Sequence, residues 1–223
     1  MREIVLDTET TGLDPAAGHR IVEIAGLELI NQVATGRTFR EYLNPDRDMP
    51  EEAQRIHGLS SEFLADKPRF AEVVEAFLEF LADSRLVIHN ADFDMKFLNA
   101  ELARVERPPL DHKRAVDTVA LARKRFPGAQ VNLDALCRRF EIDNTARTFH
   151  GALLDCELLA EVYLELRGGR QPGFDLAQSR TLEVVAAATE RPSRPARPHV
   201  PSPEEIEAHE ALLEGLKEPI WRQ

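Results

Sequence analysis

Two carboxylates in this chain fall on helical stripes where a folded protein wants hydrocarbon. Asp94 opens a helical pattern whose stripe also carries Phe97, Leu98 and Val105, at i+3, i+4 and i+11. Asp155 lies one turn inside a second pattern and shares its stripe with Leu158, Leu159, Val162 and Leu166. A charged carboxylate taken out of water without a partner is costly, so each of these needs hydrogen bonds or a cation. Capping is the ordinary use of an acidic residue in a first helical turn and stays open for Asp94. Asp155 is beyond easy capping reach. Asp92 falls off the stripe and reads as a solvated or capping residue.

Two further acids, Asp7 and Glu9, follow an aliphatic, β-branched segment and are two residues apart. On a strand that spacing points both side chains to one face. The same pattern recurs at Asp155-Cys156-Glu157, so it informs only through context: a strand end followed by the turn Thr10-Thr11-Gly12. A charged strand end facing solvent is the alternative. His150 precedes Asp155 by five positions, which on one continuous helix is a rotation of about 140°. His150 is therefore expected on the loop before the helix, with Gly151 freeing the chain to turn. A loop histidine beside a metal can take a proton from water, because its unperturbed pKa is near 6.5. His19, His112 and His199 read as surface or packing residues. Gathered in one place, these acids repel one another unless a divalent cation offsets the charge. A structural calcium loop would draw its ligands from about a dozen consecutive residues. Ligands from three distant segments instead favour a catalytic cleft, with independent solvated acids as the other reading.

The expected fold is an α/β mixed sheet flanked by helices. Strand patterns cover Glu3–Asp7, Ile21–Ile30 and Arg37–Leu43, with Gly36 in the intervening turn, and favour an antiparallel meander. Helical and strand patterns then alternate: helices over Glu51–Ile56 and Arg69–Ala82, a strand at Leu86–His89, a helix over Phe93–Arg104, and a short strand at Val116–Asp117. Helices over Thr118–Arg125, Leu133–Phe140 and Ala152–Leu166 complete a domain expected to span residues 1–167. Residues 168–223 then hold seven of the fourteen prolines. Residues 168–201 read as a semi-rigid linker. Residues 202–223 open with a capping box at Ser202-Pro203-Glu204-Glu205. A short helix with Ile206, His209, Leu213 and Leu216 on one stripe reads as a segment that folds on a partner, or docks back on its own domain. No apolar run approaches the length of a membrane span, and no secretory leader pattern opens the chain. Cys137 and Cys156 lack zinc-site spacing and read as buried thiols of a cytoplasmic protein. A net charge of −11 implies weak binding to nucleic acid without help.

DTETTG at 7–12, HNADFD at 89–94 and the H-x4-D of His150 and Asp155 resemble the three motifs of the DEDDh superfamily of 3′–5′ exonucleases. The resemblance implies a ribonuclease H-like fold and two bound Mg²⁺ or Mn²⁺ ions. It makes Asp7, Glu9, Asp94 and Asp155 the metal ligands and His150 the general base, releasing nucleoside 5′-monophosphates from a 3′ end. EAQRIHGL at 52–59 looks like the family's substrate-side motif, with Glu52 and His57 as contacts to the terminal nucleotide and Thr8 as a further one. EEIEAHEALLEGLKEPIW at 204–221 is similar to the polymerase-docking end of bacterial proofreading exonucleases. That similarity implies the alpha subunit of a bacterial replicative DNA polymerase as partner, contacted through Ile206, His209, Leu213, Leu216 and Trp221. QPGFDL at 171–176 looks like a sliding-clamp-binding peptide anchored by Gln171, Phe174 and Leu176, although it lacks the Leu often seen at its second position; a linker with incidental apolar residues is the other reading. The expected activity is removal of mispaired nucleotides from DNA 3′ ends delivered by the polymerase. An RNA-trimming exonuclease and an adaptor with a dead nuclease site are the alternatives. The tail argues against the first and the complete acidic set against the second.

Overall fold

The structure is a computed structural model that describes residues 1–145, 149–169 and 201–215. The chain divides into two compact units, Met1–Phe174 and Asp175–Gln223. The described part of the first is a five-stranded sheet in the order β3-β2-β1-β4-β5. Its strands are β1 (Arg2–Thr10), β2 (Ile21–Ile30), β3 (Val33–Tyr42), β4 (Arg85–Ile88) and β5 (Ala115–Asp117). The first three form the expected antiparallel meander, while β4 and β5 join β1 in parallel. Its helices are α1 (Glu51–His57), α2 (Ser61–Leu64), α3 (Phe70–Leu81), α4 (Ala91–Arg104), α5 (Thr118–Arg125), α6 (Leu133–Phe140) and α7 (Ala152–Leu166).

Strand β1 lies at the centre because both of its faces are apolar. Ile4 and Leu6 enter one core with Phe70, Phe77, Phe97 and Leu98 from α3 and α4. Val5 points the other way, into a second core with Leu136, Cys156, Leu159 and Val162 from α6 and α7. Helices therefore cover both faces, as the parallel part of a sheet requires. Pairing of β1 with β4 ends at Val5↔Val87, whereas pairing with β2 continues to Thr10↔Ile21. Residues 7–10 thus stay extended along β2 after β4 has turned away into α4. This support also carries β1 past the expected end at Asp7.

The β2–β3 hairpin turns at Asn31 and Gln32, both at positive φ, and not at Gly36 as the sequence suggests. Asn tolerates left-handed geometry, which two-residue hairpin turns need. Gly36 instead lies in a register shift opposite Leu27–Leu29, at φ 83°.

In the second unit the described element is helix α8 (Pro203–Glu214). Its capping box forms as expected: Ser202 Oγ accepts from the Glu205 N–H at 3.2 Å, and Glu205 accepts from the Ser202 N–H at 2.8 Å. Leu213 is buried, while Ile206 and His209 are exposed. Leu216 and Trp221 lie outside the described residues, as do Gln171, Phe174 and Leu176. No helix among the described residues is long and apolar enough to cross a membrane.

Candidate active site

The carboxylates gather at the C-terminal ends of the parallel strands, where open α/β sheets place their ligands. Asp7 and Glu9 share the β1 face of Val5, toward α7; Glu9 is buried and Asp7 partly so. Asp155 is the fourth residue of α7 and is 5% exposed. His150 stands on the loop before α7, with Gly151 as N-cap, as its spacing to Asp155 predicts. Its Nδ1 is 3.6 Å from Asp155 Oδ2, and its side chain is 49% exposed. Ligand atoms of Glu9, His150 and Asp155 fall within 4.8 Å of one another. Asp7, Asp155, His150 and His89 line one cavity of about 220 Å³.

Asp94 arrives from the other side of the sheet. Beyond Val5 the edge of β1 has no strand partner, and the Thr8 N–H there donates to Asp94 Oδ1 at 3.1 Å. The Thr8 hydroxyl donates to the same oxygen at 2.7 Å. Asn90, in left-handed geometry at φ 71°, turns the chain from β4 into α4, and its N–H donates to Asp117 Oδ1 at 3.2 Å. Burial pushes the Asp94 carboxyl up to about 7, against the opposing pull of the Thr8 hydrogen bonds. The buried Cys156 thiol is driven well above its ordinary range, first by burial and then by the charges of Asp7, Asp155, Asp94 and Glu23. One thiol thus senses acids from β1, β2, α4 and α7, so all of these elements converge behind the site.

This donor set suits a hard divalent cation. Carboxylate oxygens predominate, and Asp94 is held where only a hydrogen-bonded or cation-bound charge is tolerable. Asp7, Glu9 and Asp155 sit on the α7 side, where the ligand atoms of Glu9, His150 and Asp155 group, and Asp94 is held on the Thr8 side.

A larger cavity of about 500 Å³ adjoins Glu9 and is lined by Thr8, Thr11, His19, Glu52, His57 and Phe93 among others. That volume lies within the range of small-molecule sites. Glu52 is exposed and His57 is buried. His57 Nδ1 accepts from the Leu59 N–H at 3.0 Å, so the ring proton resides on Nε2. Nε2 makes no well-formed hydrogen bond, although the Thr10 backbone lies close enough to favour protonation. Burial nevertheless lowers the His57 pKa, and the ring stays neutral near pH 7. The His150 loop is docked on α1: the His150 N–H donates to the Ile56 carbonyl at 3.1 Å. Phe149 packs over Gly58, where an added Cβ would meet the ring at 3.3 Å. Helix α1 therefore carries Glu52 and His57 and also seats His150.

Two residues of this region had no site role among the expectations: His19, expected as a surface or packing residue, and Glu23, which was not singled out. His19 bonds Thr11 Oγ1 through Nδ1 at 3.1 Å and lies against Gly12, lining the larger cavity. Glu23, 1% exposed, faces Glu9 across the β1–β2 ladder. The signal for Glu23 was present: an acid inside the apolar run IVEIAGLELI.

Residues 4–163 match the exonuclease (RNase_T) family. The DNA polymerase III subunit epsilon of Rickettsia felis is 51% identical over 97% of this chain and 97% of its own length. Exonuclease X in complex with 5′-overhanging duplex DNA superposes with a TM-score of 0.58 at 27% identity, covering 73% of this chain and 89% of that one. The nuclease domain of 3′hExo, a DEDDh family member bound to rAMP, shares the fold with a TM-score of 0.65 at 16% identity, covering 74% and 91%.

Gly58 sits at φ 76°, a conformation that costs an L-residue roughly 1–2 kcal/mol. Gly58→Ala adds that strain and presses Phe149 outward, shifting His150. Its kcat on a single-stranded oligonucleotide is expected to fall about 10-fold, since small misplacements of catalytic groups are costly; steady-state kinetics checks this. A second expectation concerns pH. The folded Asp94 pKa, about 7, exceeds its unfolded value near 3.8, so the destabilisation by this group is absent below about pH 4 and grows as pH rises through 7. Without metal, Asp94→Asn is therefore expected to raise the melting temperature by several degrees at pH 8 and hardly at pH 4. Added Mg²⁺ should stabilise the native chain at pH 8 more than the variant, as thermal melts would show.

Proposed function

The chain belongs to the exonuclease family, among the bacterial DNA polymerase III epsilon subunits, and from that premise we propose that Asp7, Glu9, Asp94, Asp155 and His150 carry out its proofreading of DNA 3′ ends. It is a metal-dependent 3′–5′ exonuclease. The observation that carries the residue assignment is the grouping of Glu9, Asp155 and His150 within 4.8 Å, beside a cavity of about 500 Å³ able to seat a terminal nucleotide.

In this reading Asp7, Glu9, Asp94 and Asp155 hold two ions, Mg²⁺ or Mn²⁺. When bound, such ions activate water, stabilise charge at the scissile phosphate and assist the leaving 3′ oxygen. His150 accepts the proton of the attacking water. Asp155, 3.6 Å from its Nδ1, stabilises the imidazolium, and the half-exposed ring returns the proton to solvent. Thr8 orients Asp94 through its hydroxyl and forms part of the nucleotide-facing wall. Glu52 and neutral His57 contact the terminal nucleotide from α1. A mispaired end reaches this cavity more readily than a paired one, because fewer stacking and pairing contacts must break.

The remaining parts of the reading concern partners. The acidic chain is brought to DNA by the alpha subunit of the replicative polymerase. Residues 202–223 dock on that subunit through Ile206, His209, Leu213, Leu216 and Trp221, tethered by residues 168–201. Gln171, Phe174 and Leu176 engage the sliding clamp. The whole operates in the bacterial cytoplasm.

Asp7→Ala is expected to reduce release of nucleoside 5′-monophosphates from a 3′-labelled DNA strand by at least about 100-fold while leaving polymerase binding intact, with mismatched ends cleaved faster than matched ends by the native chain. Faster cleavage of RNA than of DNA ends would defeat the DNA reading. Deletion of residues 200–223 is expected to abolish co-purification with the polymerase and to spare hydrolysis of free single strands; retained co-purification would remove the tail from the interface.

A further inference from the structure

Helix α7 carries Asp155, and His150 precedes it, yet the helix has no cap of its own. Gly151 stands at the N-cap with no side chain to offer, leaving the first N–H groups to find acceptors elsewhere. One acceptor comes from β2: the Ala152 N–H donates to Glu23 Oε2 at 3.3 Å. Glu23 Oε1 in turn accepts from Arg40 Nε at 2.8 Å. The Arg40 guanidinium lies over the Tyr42 ring, 4.7 Å from its centroid, and also bonds the Tyr42 hydroxyl. A connected series of side chains thus runs from β3, through β2, to the first turn of α7.

The location of Glu23 is costly. It is 1% exposed and directly opposite Glu9, so two acids of like charge face each other on one sheet. A Val or Ile there would suit the strand better. Arg40 and the positive end of α7 offset the charge. The group so offset touches the turn from which both His150 and Asp155 are hung.

We propose that Glu23, oriented by Arg40, is a positioning residue for the exonuclease reaction: its carboxylate pins the first turn of α7 and so sets where Asp155 and His150 stand relative to Asp7 and Glu9. This inference rests on the catalytic reading above. Supporting partners of metal ligands typically matter 10–100-fold, roughly, in metal affinity or activity.

The test compares native protein, Glu23→Ala, Glu23→Gln, Arg40→Gln and Asp7→Ala as full chains. Each is scored for kcat and KM on a single-stranded oligonucleotide and, separately, for Mn²⁺ affinity by electron paramagnetic resonance titration of the metal-free protein. Glu23→Ala is expected to lose about 10–100-fold in kcat and about 10-fold in Mn²⁺ affinity, with KM within about twofold. Glu23→Gln, whose amide oxygen still accepts the Ala152 N–H but whose amide nitrogen cannot accept from Arg40, is expected to lose no more than Arg40→Gln and clearly less than Glu23→Ala. Arg40→Gln, which removes the cation while leaving the Glu23 carboxylate on the Ala152 N–H, is expected to lose several-fold in kcat, and it carries the test if Glu23→Ala does not fold. Native kcat and native Mn²⁺ affinity in both Glu23→Ala and Arg40→Gln would overturn the proposal, as would a Gln variant as impaired as the Ala variant. A native chain no more active than Asp7→Ala would instead overturn the catalytic reading on which the proposal stands.

Discussion

Burying like charges within reach of one another is the constraint on which this structure turns. Glu9, Glu23, Asp94 and Asp155 are each less than a tenth exposed, and all lie near the end of β1. In water such a cluster would separate. Here the strands and helices that carry the acids are held by two apolar cores, so the acids have nowhere to go. The repulsion is offset locally in different ways. Asp94 takes two hydrogen bonds from Thr8, Glu23 takes Arg40 and the start of α7, and the Glu9, His150 and Asp155 group presents its ligand atoms within 4.8 Å. What the protein itself does not neutralise, a divalent cation can.

The geometry follows from where β4 stops. Had β4 continued alongside β1, the Thr8 N–H would belong to the sheet ladder. Because pairing ends at Val87, that N–H is available to Asp94, and α4 can begin against the open edge. The same ending leaves Asp7 and Glu9 extended on β2 and turned toward α7. One termination in the sheet thus lets side chains from both layers meet. The loop that bears His150 is fixed differently, by its backbone bond to Ile56 and by Phe149 over Gly58. His150 and helix α1, which lines the larger cavity, are consequently a single mechanical piece.

Much of this was legible without coordinates, for identifiable reasons. Asp94 and Asp155 announced themselves because helical periodicity placed them among Leu, Val and Phe. Helices α5, α6 and α7 have the bounds their patterns predict, and Asp117 and Asn132 cap the first two as short polar residues should. His150 lies off the helix as its spacing required. The misses are non-local. The hairpin turned at Asn31 and Gln32 because the β-ladder, and not the nearest glycine, decides register. No local pattern foretells that a neighbouring strand will end early, so the bond from the Thr8 hydroxyl to Asp94, 86 positions away, was not foreseen, although Thr8 also lines the larger cavity. Glu23 was visible as an acid in an apolar strand, but its partners Arg40 and Ala152 come from other elements.

The central claim is that Asp7, Glu9, Asp94 and Asp155 hold metal beside a 3′ end. Anomalous diffraction from crystals soaked with Mn²⁺ and a nucleoside 5′-monophosphate tests it most directly. The account predicts two manganese peaks among Asp7, Glu9, Asp94 and Asp155, with the phosphate between them and His150. Absence of bound manganese there, or manganese bound elsewhere with the nucleotide remote from His150, would contradict it.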